Sequence, residues 1–65
     1  MAKYVLISVC EREITATFFG TVNEARNQMR KEYRETEYKD DGEIDKMSAW
    51  ANGDQNNDWL IVPIE

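Results

Sequence analysis

Residues 3–19 read KYVLISVCEREITATFF, and this stretch decides the fold. Positions 3–10 (KYVLISVC) are rich in β-branched residues. In an extended chain Val5, Ile7 and Val9 fall on one face, and Tyr4, Leu6, Ser8 and Cys10 on the other. Both faces are largely apolar, which suits an interior strand. Glu11-Arg12 is a polar break. Positions 14–19 (ITATFF) then alternate, with Ile14, Ala16 and Phe18 opposite Thr15, Thr17 and Phe19. So short a break makes the two strands a hairpin.

Working outward, Gly20 ends the second strand and Thr21-Val22-Asn23-Glu24 reads as a capping box. The Thr21 hydroxyl can accept from the Glu24 amide while the Glu24 carboxylate reaches back. The pattern predicts a helix over residues 22–36. Its narrow apolar stripe is Val22, Ala25, Met29 and Tyr33, beside a basic stripe of Arg26, Arg30 and Arg34. Residues 37–45 form an acidic connection with Asp41-Gly42 as its turn signal.

Residues 44–52 have two readings. Ile44, Met47 and Trp50 or Ala51 sit at helical spacing, and Asn52-Gly53 would close a helix. Alternatively, 47–51 pairs through a polar turn with 58–64 as a second hairpin. The hairpin is preferred. Residues 59–64 (WLIVPI) form a strand that needs a neighbour, and the adjacent segment costs least in loop-closure entropy. Pro63 cannot donate a ladder hydrogen bond, so it belongs at a strand end or edge. The expected fold is α+β in one domain over residues 1–65. The order is ββαββ, a small, mostly antiparallel sheet with a single helix packed on one face.

Sixty-five residues make a thin core, with only about 60% of the unfolded surface buried. Cys10 has no partner in the chain, so a disulfide does not reinforce that core. A lone cysteine and the absence of a signal-peptide pattern point to the cytoplasm. No stretch approaches the ~20 apolar residues of a membrane span.

The chemistry of the side chains argues against catalysis. There is no histidine, the usual general base. Ser8 and Ser48 lie in no nucleophile motif, and Cys10 has no base to activate it. Asp54, Asn56, Asp58 and Glu65 fall at calcium-loop spacing, but position 6 of that pattern is Trp59 where a sharp turn needs glycine. Neither a cofactor nor a metal is expected. The basic helical stripe reads as a solvated face, since the adjoining acids would repel a phosphate backbone.

The charge distribution is more informative. Between Glu32 and Asp45 there are seven acids against two bases, which accounts for the whole net charge of −5. Such a run suits docking on a basic protein surface, because displayed carboxylates can imitate the phosphate spacing of a duplex. The candidate partner-binding residues are Glu32, Glu35, Glu37, Asp40, Asp41, Glu43 and Asp45, with the aromatic Tyr38 among them. The expected partner is a protein with a basic surface, for example a nucleic-acid-binding protein. Direct contact with nucleic acid or with a membrane is not expected. In the alternative reading the acids only solubilise, and the domain acts through an apolar sheet face or as a homodimer.

Residues 4–21 (YVLISVCEREITATFFGT), the helix beginning near Asn23-Glu24-Ala25, SAWAN at 48–52 and NNDWLIVPIE at 56–65 resemble a loose group of short acidic bacterial proteins. The group is associated with gut Firmicutes and their phages and mobile elements. It has no assigned activity, so the resemblance implies no site residues. It does imply a mobile-element accessory protein, such as an anti-CRISPR or anti-restriction inhibitor that acts by mimicking nucleic acid.

Overall fold

The first hairpin turns on two residues with left-handed backbone. The computed structural model describes residues 2–36, 41–52 and 56–64, and in it Glu11 and Arg12 take φ of 52° and 71°. Positive φ at both central positions is the signature of the type I′ turn, whose twist matches the strands it joins. It connects β1 (Tyr4–Cys10) to β2 (Glu13–Phe19) in unbroken register from Tyr4↔Phe19 to Cys10↔Glu13. Neither residue favours this conformation, and the Glu11 amide is steadied by the Asn57 side-chain oxygen at 3.3 Å. Replacing Glu11-Arg12 by Asn-Gly is expected to raise stability by about 1–2 kcal/mol. For a domain of this size that is a melting temperature higher by roughly 4–8 °C per kcal/mol. An unchanged melting curve would show that the turn carries no strain.

Helix α1 (Val22–Glu35) starts where the capping box predicts. The Glu24 amide donates to Thr21 Oγ1 at 3.2 Å, and the Thr21 hydroxyl donates to Glu24 Oε1 at 3.0 Å. The Glu24 carboxylate therefore meets the Thr21 hydroxyl, not its amide. Ala25 and Met29 of the apolar stripe are fully buried against the sheet. At the other end Thr36 closes the helix, with its amide and hydroxyl both donating to the Tyr33 carbonyl.

The remaining strands are β3 (Gly42–Ile44), β4 (Ser48–Ala51) and β5 (Asn57–Pro63). The β4–β5 pairing settles the ambiguous segment as a hairpin, with Ala49 opposite Trp59. All pairs are antiparallel in one sheet of order β2-β1-β5-β4-β3, and α1 packs across it, giving an α+β fold. The sequence order is ββαβββ, one strand more than expected. The extra strand is β3, hidden in the acidic connection. It approaches β4 closely because Gly42 has no side chain: a Cβ there would lie 2.5 Å from the Trp50 carbonyl oxygen. Pro63 ends β5. Ile61 donates to the Met47 carbonyl, so the amide missing at Pro63 falls on the β4 side, beyond the start of β4.

The core lies between α1 and one face of the sheet: Leu6, Ala25, Met29, Ala49, Ala51, Trp59 and Ile61. Strand alternation turns the opposite face away from it.

Candidate interaction surface

Among the described residues, one helix packs on one face of the sheet and no second helix or sheet covers the other. Here that face is apolar. Following the register, Phe18, Val5 and Val62 form one row across β2, β1 and β5. Ala16, Ile7, Leu60 and Ser48 form the next, extended to β4. Ile14, Val9, Asp58, Trp50 and Glu43 form the third, extended to β3. Ile14 is 73% exposed, Phe18 60%, Leu60 49% and Trp50 41%. Strand spacings of ~4.8 Å and rises of ~3.3 Å per residue give the face about 450 Å2 in projection. That falls within the ~300–600 Å2 typical of the largest apolar patch on a monomer, a patch that is often functional.

Its polar groups are one-sided. Trp50 has Glu43 directly opposite on β3 and Asp58 directly opposite on β5. Both carboxylates are exposed, and no lysine or arginine lies on the strand positions of this face. The face therefore offers an apolar field with an acidic corner built round an indole.

The acidic run is divided by the fold. Glu35, Asp41, Glu43 and Asp45 are exposed. Asp45 Oδ1 accepts from the Lys46 amide, and the Asp41 carbonyl accepts from the Asn52 amide, so both acids anchor the ends of the β3–β4 hairpin. Glu37, Tyr38 and Asp40 lie outside the described residues. Glu32 points inward. Its Oε1 accepts from Ser8 Oγ at 2.9 Å and from the Trp59 indole nitrogen at 3.1 Å, and its Oε2 accepts from Gln28 Nε2 at 2.8 Å. This carboxylate ties the last turns of α1 to β1 and β5. A side chain satisfied by three internal donors has little capacity left for a partner, so the outward-facing set omits it. Helical spacing carries the signal, since positions 25, 28, 29, 32 and 33 share one side of the helix.

The basic stripe is divided as well. Arg26 donates through Nε to the Lys46 carbonyl at 3.0 Å, pinning α1 to the β3–β4 turn, while Arg30 and Arg34 are exposed. The residues missed by sequence reasoning are Ile14, Phe18 and Leu60. The available signal was a count: one helix can cover only one face of a sheet whose first strand, β1, is apolar on both and lies inside the sheet.

Cys10 lies half-buried at the end of β1. Burial first, then the carboxylates of Glu32, Glu11 and Asp58, push its thiol pKa above the ordinary value. The nucleophilic thiolate is disfavoured. Modification by a neutral maleimide at pH 7.5 is expected to be several-fold slower than for the urea-unfolded chain, and equal rates would contradict the burial. Among the described residues, no three His, Cys, Asp or Glu side chains group to hold a metal ion, and no helix is long and apolar enough to cross a membrane. Comparison with family models, curated proteins and solved structures finds no match to this chain.

Proposed function

We propose that this domain is a protein-binding module that acts without catalysis, taking up the apolar side of a basic, amphipathic segment on its open sheet face. One observation carries this reading: the large apolar residues exposed on that face adjoin a corner where Glu43 and Asp58 flank Trp50. Apolar burial supplies the affinity, and lysine or arginine on the partner meets the two carboxylates. The wider acidic surface of Glu35, Asp41 and Asp45 steers such a partner from a distance.

The two tryptophans make a direct test. Trp50 is half-exposed on the open face, whereas Trp59 is 2% exposed in the core. Titration with a helical Leu/Lys peptide is expected to blue-shift the emission of Trp50, with Trp59 as an internal constant. The matching Leu/Glu peptide is expected to do nothing. Equal responses to the two peptides would remove the electrostatic half of the proposal, and no response to either would remove the surface.

A second reading keeps the acidic run as the main contact. There the protein occupies the basic channel of a nucleic-acid-handling enzyme as a mobile-element inhibitor. The exposure of Glu35, Asp41, Glu43 and Asp45 supports it. It predicts a steep loss of affinity with salt and indifference to substitutions on the open face.

A further inference from the structure

The two edges of the sheet are defended very unequally. β3 is an edge of three residues carrying Glu43 and flanked by Asp41 and Asp45. Short length and charge are the usual protections against strand addition. β2, the other edge, is more than twice as long and carries one charge, Glu13 at its first position. It runs seven residues, EITATFF, with no proline, no lysine and no bulge in its pairing to β1, and six of the seven are exposed. A long, regular, largely apolar edge of this kind is a template for another strand.

The free edge also has a definite pattern of donors and acceptors. A two-residue type I′ turn is closed by a hydrogen-bonded pair, here Cys10 and Glu13. Alternation then directs the backbone groups of Glu13, Thr15, Thr17 and Phe19 to β1, and those of Ile14, Ala16 and Phe18 outward. An incoming antiparallel strand bonds to these three positions.

We propose that the occupant is a second copy of this chain, paired β2 to β2 about a two-fold axis through Ala16. In that register Ala16 faces Ala16 and Ile14 faces Phe18 in both directions. All are outward-bonding positions, giving about six backbone hydrogen bonds across the interface. On the open face the pairs are Ile14 with Phe18, an aromatic on a β-branched residue, a favourable cross-strand combination. On the helix side Thr15 faces Thr17. No like charges meet. The strand order puts β3 and its acids at the two far ends of the resulting ten-stranded sheet, which minimises repulsion between two chains of net charge −5. The axis is perpendicular to the sheet, so both open faces look the same way. The joined platform is about 900 Å2 in projection, comparable with the ~800 Å2 per partner of a standard interface, whereas one face alone falls short.

The test is sedimentation of the full chain at micromolar to submillimolar concentration, with far-UV circular dichroism as the control for folding. Wild type is expected to be a dimer. Ala16→Lys and Ala16→Glu, at an exposed site, are each expected to be folded monomers, because like charges then face each other across the axis. An equimolar mixture of the two is expected to restore the dimer. Ala16→Pro serves as a second probe: the amide it removes points outward, so the ladder to β1 survives and only the dimer is lost. A monomeric wild type overturns the proposal. So does a dimer that withstands Ala16→Lys and Ala16→Pro, or a charge pair that fails to reassociate. The inference does not rest on the partner-binding reading. A monomer that still binds the Leu/Lys peptide sinks this proposal alone, and a dimer indifferent to the peptide sinks the other alone.

Discussion

Trp59→Ala is expected to remove about half or more of the domain's stability at 25 °C. The indole is 2% exposed, stacks edge-on against Tyr33 at 5.8 Å and 65°, and donates to Glu32. Removing a buried tryptophan costs about 3–5 kcal/mol. A 65-residue domain has in total about 3–10 kcal/mol at the usual stability per residue. The lost ring also strips Glu32 of one donor and leaves Met29 and Leu6 facing a void. Trp59→Phe separates these effects. It keeps most of the apolar volume and deletes the N–H, for about 1–2 kcal/mol, because Ser8 and Gln28 still hold the carboxylate. Urea unfolding followed by circular dichroism measures both. A Trp59→Ala chain with a wild-type midpoint would show that the core is organised around something else.

The second large effect concerns binding. Leu60→Asp combined with Trp50→Ala is expected to reduce affinity for a cognate basic partner by a hundredfold or more. Central apolar anchors are worth about 2 kcal/mol or more each, and 1.4 kcal/mol is a factor of ten. Both residues are substantially exposed, so the melting temperature is expected to move only a few degrees. Neutralising Glu35, Asp41, Glu43 and Asp45 together is expected to act differently. Association slows and most of the salt dependence disappears, while the apolar contact persists. Calorimetry at low and high salt on both variants separates the contributions. If the face variant binds like wild type and the neutralised one does not bind at all, the acidic run is the interface.

The parts of this structure that were legible beforehand are local in origin. The Thr21–Glu24 cap, the Ala25–Met29 stripe and the hairpin around Glu11-Arg12 each depend on residues a few positions apart. β3 was not legible because three residues among acids carry no periodicity. What places them is Gly42 permitting contact with Trp50, a residue met only after the chain has turned back. Glu32 was misplaced among the outward acids for a related reason. Its donors Ser8 and Trp59 come from strands on either side of it in sequence, and only the assembled sheet brings them together. The bare face was half-legible. Ile14, Ala16 and Phe18 alternate plainly with threonines, but nothing local says which side of β1 the helix will choose.

The strand order has a kinetic consequence. β1 and β5, paired with each other inside the sheet, are the first and last elements of the described chain, with Tyr4 paired to Pro63. A nascent chain that has made β1, β2 and α1 holds a hairpin and a helix but lacks Trp59 and Ile61, the two residues that β5 contributes to the interior. Closing so long a loop is entropically costly and slow, and little is gained until it closes. Folding is therefore expected to be all-or-none and late, with amide exchange nearly equal across β1, β5 and α1. During the interval before β5 arrives, the bare edge of β2 is presented to any other strand in reach.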